Sequence, residues 1–227
     1  MPYHVIFDID DTLFPSSEFA AQARRNAVNA MIMMGLKADP DELLSDLGTI
    51  IRKKGSNYEH HFDDLCRKRG IRDPSRFVAA AVAAYHDTKT SIQPFPTVPL
   101  TLLRLKEAGF RLHIATNGIA VKQWDKLIRL RIALYFDNVF VSGEMGREKD
   151  ERFFRSVLKT LKAKAGDCVM VGDREDTDIL PAKSAGICTI RVMGSKYGKG
   201  TEKATKADYS IQDISALPGA LRRLKLL

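Results

Sequence analysis

The chain contains two kinds of hydrophobic pattern, and they alternate over most of its length. Short apolar runs predict buried strands near residues 5–7, 110–116, 138–142, 168–172, 188–192 and 209–211. Apolar residues at helical spacing predict helices at 99–108, 120–130, 150–161, 179–185 and the C-terminal end. Because strands and helices alternate, the pattern predicts an α/β fold: a Rossmann-like parallel sheet with helices on both faces.

One long region departs from this alternation. Between residues 16 and 90 the apolar positions have helical spacing only. Four helices are predicted there, at about 19–34, 39–54, 58–69 and 73–89, with Ser16 or Ser17 as the first N-cap. The first strand precedes this region and the other strands follow it. The sequence therefore predicts an α/β core of residues 1–15 and 94–227, interrupted by an all-helical domain of residues 16–93.

The net charge of +8 requires a nucleic-acid partner to be considered. The basic residues are spread over many helices, with denser groups at 52–54, at 67–69 and at Lys196, Lys199, Lys203 and Lys206. None of these groups is interleaved with aromatic residues, as a surface that stacks bases is. We therefore expect solvated basic faces and no nucleic-acid partner. Such a positive surface also attracts anionic metabolites.

The sequence also indicates the cellular location of the protein and the state of its cysteines. No apolar run approaches the roughly 20 residues that span a bilayer. The first residues do not have a signal-peptide pattern, so we expect no membrane partner and a cytoplasmic location. Cys66, Cys168 and Cys188 are odd in number and lack metal-ligand spacing, which predicts reduced thiols. His4 and His113 lie within predicted strands and are interpreted as structural.

The first strand ends in three carboxylates, those of Asp8, Asp10 and Asp11. Burial of an unpaired carboxylate is costly, so the strand must end where these groups meet solvent, a cation or a substrate. In extended backbone, Asp8 and Asp10 share a face. Two carboxylates at one point either raise each other's pKa or share a divalent cation. The alternative is an acidic turn with solvated side chains.

Three further strand ends carry polar residues. These segments are Thr116-Asn117-Gly118, then Ser142-Gly143-Glu144 followed by Lys149, and Gly172-Asp173 through Asp178. The carboxyl ends of parallel strands meet at one edge of the sheet, where ligands bind. Carboxylates, a hydroxyl, an amide and a lysine gathered at that edge suit Mg²⁺ and a substrate phosphate.

In this order the four segments resemble the motifs of the haloacid dehalogenase-like hydrolases, which are mostly Mg²⁺-dependent phosphatases. The resemblance covers nearly the whole chain, and the helical insertion resembles the family's type C1 cap. Residues 17–58, 121–124 and 169–173 are similar to archaeal members often labelled glyceraldehyde 3-phosphate phosphatase. The resemblance implies an enzyme that hydrolyses a small phosphorylated metabolite, such as a sugar or triose phosphate.

The chemistry and the resemblance together suggest roles for the first motif. Asp8 attacks phosphorus and forms an aspartyl-phosphate. Asp10 protonates the leaving oxygen and then deprotonates the water that hydrolyses the intermediate. The Mg²⁺ ligands are Asp8, the backbone carbonyl of Asp10, and Asp173.

The remaining motifs supply phosphate binding and charge compensation. Thr116 and the amide of Asn117 hold phosphoryl oxygens, and Lys149 offsets the charge of nucleophile and phosphate. Asp178 orients a metal-bound water or Lys149, with Asp176 as its competitor for that role. Two alternatives stay open: Thr116 could cap the next helix, and Lys149 could be a plain surface lysine.

Two positions depart from the family's pattern. Asp150 replaces the proline that usually follows the lysine, and we interpret it as a helix N-cap. Asp11 stands where many members have glycine, and it is assigned no catalytic role. In the predicted cap, the candidates for contact with the leaving group are Arg24, Lys53, Asn57, Tyr58 and His61.

Two rival functions remain at this stage. A 2-haloacid dehalogenase attacks carbon and needs neither Mg²⁺ nor a second motif-one aspartate, so Asp10 counts against it. A non-catalytic binding domain is expected to lack one of Asp8, Asp10, Lys149 or Asp173, and the sequence has all four.

Overall fold

The computed structural model describes residues 3–194 and 205–224. Six strands form one parallel sheet. In chain order they are β1 (His4–Phe7), β2 (Arg111–Thr116), β3 (Asn138–Val141), β4 (Cys168–Gly172), β5 (Cys188–Val192) and β6 (Tyr209–Ile211). Across the sheet the order is β3-β2-β1-β4-β5-β6, which confirms the predicted Rossmann-like α/β fold.

The first strand lies near the middle of the sheet. Phe7 of β1 is in register with Ile114 of β2 on one side and Val171 of β4 on the other. The segments that follow these strands therefore leave the sheet at one edge. Asp8, Asn117 and Asp173 are each within three residues of these register positions. This register, rather than any local sequence feature, gathers the predicted motifs.

Helices accompany the sheet. They are α5 (Val98–Glu107), α6 (Ala120–Arg129), α7 (Ser142–Met145), α8 (Glu151–Leu161), α9 (Leu180–Ser184) and α10 (Leu217–Arg223). The apolar side of α8 is buried with sheet residues in one cluster, which includes Phe153, Phe154, Ile6 and Met170. A helix with one wide apolar stripe is stabilised by burying that stripe against a sheet.

The chain divides into two compact units, residues 1–17 with 93–227, and residues 18–92. The second unit contains helices, which are α1 (Ser16–Met33, beginning just before it), α2 (Pro40–Lys54), α3 (His61–Lys68) and α4 (Ser75–Lys89). Its buried core includes Val28, Met31, Leu43 and Leu65. We call residues 18–92 the helical unit. Its action as a cap domain is a proposal.

Two helix starts show how side chains satisfy free backbone amides. Asp39 is the N-cap of α2, and its Oδ1 accepts from the amides of Asp41 and Glu42 at 2.9 and 3.0 Å. At α1 the prediction of a serine cap is wrong. The carboxylate of Asp11 accepts from the amide of Ser17 at 2.9 Å and from the Ser17 hydroxyl. Asp11 thus has a structural role in the turn after β1.

Several element boundaries differ from the prediction. The third helix begins at His61, not near residue 58. The short helix α7 was not predicted, since only four residues support it. The predicted helix at 179–185 corresponds to α9, and it is preceded by a π-helical turn, Glu175–Ile179, that was not predicted. Among the described residues, no helix is long and apolar enough to span a bilayer; the cytoplasmic location stays a prediction. Lys196, Lys199 and Lys203 lie outside the described residues.

The cysteines and the two strand histidines have the surroundings that their predicted roles require. Cys66, Cys168 and Cys188 are free thiols, as predicted. His4 and His113 form a pair across β1 and β2, with Nδ1 of His4 2.9 Å from Nε2 of His113 and the rings stacked. Burial, followed by the charge of His4, lowers the pKa of His113 to about 4. His113 is therefore a neutral, structural histidine near neutral pH.

Candidate active site

A buried lysine joins two of the predicted carboxylates. Lys149 Nζ lies 2.5 Å from Oδ1 of Asp8 and 2.5 Å from Oδ1 of Asp178, and it also donates to the carbonyl of Ala115 at 3.2 Å. Only 2% of the Lys149 side chain is exposed, so the interpretation as a surface lysine is wrong. Charge-assisted hydrogen bonds of this length are strong and fix the groups they join.

Asp173 completes a cluster of carboxylates. Oxygen atoms of Asp8, Asp173 and Asp178 all lie within 4.8 Å of one another, and all three residues are buried. When all three carboxylates are ionised, they and the single Lys149 ammonium carry a net charge of −2, from three negative charges and one positive charge. One divalent cation balances that charge. The oxygen-only donor set is also what Mg²⁺ prefers, so the residues fit this ion.

The electrostatics of Asp8 and Lys149 follow from this crowding. Burial raises the pKa of Asp8 well above its usual range; Lys149 opposes the increase, while Asp178, Asp10 and Asp173 add to it. Burial disfavours the charged form of Lys149, but Asp178 and Asp8 outweigh that effect and raise its pKa. Lys149 is therefore a fixed cation, and it cannot compensate all three neighbouring carboxylates.

The loop after β4 holds Asp178 in place. The Arg174 amide donates to Oδ2 of Asp178 at 3.0 Å, and the Asp178 amide donates back to the Arg174 carbonyl at 3.0 Å. Gly172 allows this close packing, because a Cβ there would lie 2.5 Å from Oδ2 of Asp178. Asp176 instead pairs with Arg174 and is 66% exposed. The geometry thus favours Asp178 over Asp176 as the partner of Lys149.

The segment after β2 is held against the segment that carries Lys149. Thr116 is buried at the end of β2, and the helix that follows, α6, begins at Ala120 with Ile119 as its N-cap residue and without a side-chain cap. The capping alternative for Thr116 is therefore wrong. Oδ1 of Asn117 accepts from the Lys149 amide at 2.9 Å, which joins this loop to the lysine segment.

A second pair of contacts braces the same loop from the other side. The Gly118 amide donates to the Ser142 hydroxyl at 2.9 Å, and the Gly143 amide donates to the Gly118 carbonyl at 3.1 Å. A Cβ on Gly143 would lie 2.5 Å from that carbonyl, so the approach requires glycine. The short helix α7 thus positions the loop after β2.

Asp10 contacts a different lysine from the one that contacts Asp8. The strand β1 ends at Phe7, and the backbone turns so that Asp10 forms an isolated bridge with Phe14. Both Asp10 oxygens lie 2.7 Å from Nζ of Lys126. Asp8 and Asp10 therefore contact different lysines, although the charge of Asp10 still adds to the raised pKa of Asp8, as expected for neighbouring carboxylates. A divalent cation shared by the two residues stays a prediction.

Asp150 has the structural role that the sequence predicts. It is the N-cap of α8, and its Oδ1 accepts from the Phe153 amide at 2.7 Å. Its side chain is thereby directed to the helix end. The substitution for proline therefore leaves the adjacent Lys149 free to contact Asp8 and Asp178.

Three residues that support the site had no role predicted from the sequence. Lys126 pairs with Asp10, Gln123 donates to the Asn117 carbonyl at 2.8 Å, and Ser142 accepts from Gly118. Gln123 and Lys126 are three apart in α6 and so lie on one helix face. The sequence does contain a signal for Gln123 and Lys126: they are two polar residues, three positions apart, in the helix that follows the Thr116-Asn117-Gly118 motif.

The five candidates in the helical unit have different surroundings. Lys53 and Asn57 are exposed, and Arg24 is half-buried. Tyr58 and His61 contact each other with ring centroids 5.3 Å apart, and Nε2 of His61 lies 2.9 Å from the Gly55 carbonyl. Within this unit only Tyr58 and His61, of the five, are joined by a ring contact. Contact with a leaving group stays a prediction for all five.

Comparison with known proteins decides the family. The model of the haloacid dehalogenase-like hydrolases matches residues 5–192, which contain every residue of the candidate site. The chain belongs to this family. Membership confirms the resemblance on which the motif assignments were based, and it agrees with the order of the four motifs along the sheet edge.

Two curated relatives share much of the sequence. The glyceraldehyde 3-phosphate phosphatase of Methanopyrus kandleri is 47% identical over 85% of this chain and 84% of its own length. The protein of the same name from Methanocaldococcus jannaschii is 43% identical over 97% of each chain. Among solved structures, the 2-haloacid dehalogenase of Pseudomonas syringae has a TM-score of 0.63 at 26% identity, covering 99% of this chain and 100% of that one.

Proposed function

We propose that the chain is a Mg²⁺-dependent phosphatase that hydrolyses a small phosphate monoester through an aspartyl-phosphate on Asp8. The observation that carries the proposal is the buried cluster of three carboxylates around Lys149 at the edge of the parallel sheet. The cluster combines a nucleophile, a fixed cation and a site for a divalent ion. The curated relatives bear phosphatase names, which agrees with this chemistry.

The proposed substrate is a triose phosphate, glyceraldehyde 3-phosphate. Both reported archaeal relatives are named for this compound, and one of them matches this chain over nearly its full length. The net charge of +8 favours association with anionic metabolites of this kind.

Mg²⁺ is the proposed cofactor because the donor set is entirely oxygen and the cluster carries an excess of two negative charges. Asp8, Asp173 and the backbone carbonyl of Asp10 are the proposed ligands, with Asp178 holding Lys149 beside them. When bound, the ion would neutralise charge on the phosphoryl group and keep Asp8 ionised.

In the first half-reaction, the Asp8 carboxylate attacks phosphorus opposite the ester oxygen. The new bond joins the Asp8 oxygen to phosphorus, and the bond from phosphorus to the ester oxygen breaks. Asp10 gives its proton to the departing oxygen, which leaves as an alcohol. Lys149 holds Oδ1 of Asp8 at 2.5 Å and offsets the negative charge brought together there.

In the second half-reaction, Asp10 acts as a base and no longer as an acid. Asp10, now ionised, takes a proton from water as the water oxygen attacks phosphorus. The bond between phosphorus and Asp8 breaks, which releases inorganic phosphate and restores both carboxyl groups. The loop at Thr116 and Asn117 is the proposed site for the phosphoryl oxygens during both steps.

A 2-haloacid dehalogenase activity is the second candidate, since a solved protein of that name is 26% identical over the full chain. That reaction displaces halide from carbon and leaves a negatively charged ion that needs no proton. Such a step does not require an acid–base residue beside the leaving group. Asp10, with its own dedicated lysine at 2.7 Å, therefore supports phosphate chemistry instead.

We further propose that residues 16–93 act as the family's cap domain. The helical unit has its own buried core and folds as a compact body, which suits a domain that selects substrate separately from the catalytic core.

The test is phosphate release by the purified protein from glyceraldehyde 3-phosphate and a panel of other small phosphate esters, with Mg²⁺ or with EDTA. We expect hydrolysis only with the metal. Asp8→Asn removes the nucleophile and is expected to abolish turnover. Asp41→Asn, at an exposed carboxylate of α2, is the matched control and is expected to keep wild-type rates.

Two results would contradict the mechanism: hydrolysis in EDTA at the rate seen with Mg²⁺, or an active Asp8→Asn protein. Release of chloride from 2-chloropropionate, without phosphate release from any ester, would favour the dehalogenase instead.

A further inference from the structure

Lys126 lies outside the four motifs, and it makes an ion pair with Asp10 of the first motif. Its ammonium lies 2.7 Å from Oδ1 and 2.7 Å from Oδ2 of Asp10, so one donor group spans both oxygens of the carboxylate. The two side chains are 25% and 38% exposed, so the pair is partly buried. The two residues are 116 positions apart in the chain, so the fold brings them together.

Lys126 is itself held by its surroundings. Its ammonium lies 5.8 Å from the centre of the Phe14 ring, a distance at which the cation and the ring attract each other. Phe14 also forms the backbone bridge with Asp10. One turn earlier in α6, Gln123 donates to the carbonyl of Asn117 at 2.8 Å. One face of α6 thus contacts both the acid–base segment and the proposed phosphate loop.

The position of Asp10 matters because a proton is transferred only over hydrogen-bonding distance. A carboxylate without a partner rotates among rotamers and spends little time aimed at the departing oxygen. An ammonium that contacts both oxygens fixes the plane of the carboxylate. A carboxylate has about four acceptor positions, so each oxygen retains one that can face a substrate.

The contact is compatible with both halves of the reaction. In the ionised state, both Asp10 oxygens accept from Lys126. In the protonated state, one oxygen still accepts from Lys126, while the other carries the O–H that the leaving oxygen receives. The lysine therefore holds the side chain in place while the proton is lost and regained.

We propose that Lys126 is a positioning residue for the acid–base step, which aims Asp10 at the leaving-group oxygen. The proposal deepens the proposed function and rests on it, because Asp10 meets a leaving oxygen only if the chain is a phosphatase. Lys126 acts through Asp10, and its removal should matter most where the leaving group needs a proton.

The test compares two esters by kcat/KM, which reports only the steps up to release of the alcohol. Glyceraldehyde 3-phosphate has an alkoxide leaving group that requires protonation. The p-nitrophenolate of p-nitrophenyl phosphate leaves without a proton. For Lys126→Met we expect a loss of about 10- to 100-fold for the first ester and less than about 3-fold for the second. A structural role alone would lower both equally.

Three control experiments distinguish positioning of Asp10 from a general effect of the substitution. Lys122→Met, in the preceding turn of the same helix, is expected to behave as wild type with both esters. Lys126→Arg keeps a cation and is expected to recover part of the lost rate. In an Asp10→Asn background, Lys126→Met should add little further loss, because the group it positions is gone. Thermal unfolding confirms that each variant folds.

The outcomes separate this inference from the function on which it rests. Equal losses for both esters, a rate increase in Lys126→Met, or multiplicative losses with Asp10→Asn would overturn the positioning role while leaving the phosphatase assignment intact. A wild-type protein that hydrolyses neither ester would overturn the proposed function, and the role of Lys126 with it.

Discussion

At the scale of single residues, Lys149 determines the character of the site. It is a buried cation in contact with two carboxylates, and a third lies close by. Removal of one partner from a buried charge network is costly because the remaining charges are left uncompensated. In the proposed reaction the same cation offsets charge on the phosphoryl group, so we expect both stability and activity to depend on this one side chain.

We expect Lys149→Met to lower kcat by about 10²- to 10³-fold, the effect of removing one preorganised charge at a reacting centre. The variant should also unfold at lower temperature in EDTA, and Mg²⁺ should restore more stability to it than to wild type. Phosphate release and thermal unfolding measure the two effects.

Lys159→Met, on the exposed side of α8, is the matched control and should change neither quantity. A Lys149→Met protein with wild-type kcat would show that the buried cation has no part in the reaction.

At the scale of elements, the ends of the strands position the chemistry. The last residue of β4, Gly172, is pressed against Asp178 from the following π-helical turn. Asp178 of this turn thus contacts Gly172 on one side and Lys149 on the other. A side chain on residue 172 cannot be accommodated unless the turn moves.

Gly172→Ala is expected to lower stability by about 1–3 kcal/mol, because the new Cβ overlaps Asp178 and forces it to shift. Activity should fall as well, since Asp178 holds Lys149 beside Asp8. Denaturant unfolding and phosphate release are the measurements.

Gly166→Ala is the control, because a Cβ at residue 166 meets no atom within 4 Å. If both alanine variants kept wild-type stability and activity, the close packing of Gly172 on Asp178 would have no energetic importance.

The histidine pair across β1 and β2 predicts a pH dependence of stability. Burial lowers the pKa of His113 to about 4, whereas an unfolded histidine titrates near 6.5. Between these values the unfolded chain binds the proton and the folded chain does not. The stability that depends on neutral His113 is therefore fully present above pH 6.5. The free energy of unfolding falls by about 2–3 kcal/mol as the pH decreases toward 4.

The measurement is the free energy of unfolding from pH 7 to pH 4.5 for wild type and His113→Gln. Wild type should lose stability more steeply over this interval. Parallel curves for the two proteins would show that His113 does not stay neutral in the folded state.

At the scale of the whole molecule, folding brings together like charges from distant segments. Asp8, Asp173 and Asp178 come from both ends of the chain, and their mutual repulsion is only partly relieved by Lys149. A ligand that binds the folded state alone stabilises it by mass action. A divalent cation at this cluster should therefore act on global stability.

We expect Mg²⁺ to raise the unfolding temperature, with about 2.7 kcal/mol of added stability at 100 times its dissociation constant. Asp173→Asn should lose most of this increase, and Asp41→Asn should keep it. Calorimetry with and without Mg²⁺ measures the effect. An equal metal-dependent increase in Asp173→Asn would place the ion elsewhere.

The fold and most of the candidate site could be predicted because their signals are local. Short apolar runs alternate with amphipathic stretches, which is sufficient to predict a parallel sheet. Parallel strands end at one edge, so Asp8, Thr116, Lys149 and Asp173 could be grouped without knowledge of any contact. The capping role of Asp150 was predictable for the same reason, since its partner is only three residues away.

The pairings among these residues depended on tertiary structure. Extended backbone at residues 8–10 would have placed Asp8 and Asp10 on one face, but the strand ends at Phe7 and the chain turns. Each carboxylate then meets a different lysine, one of them 141 positions away and the other 116. Such partners are invisible in the sequence, because a long-range contact is set by how whole elements pack. The sequence determined which chemistry this protein carries, and only the packing of α6 and the loops on the sheet decided which cation serves each carboxylate.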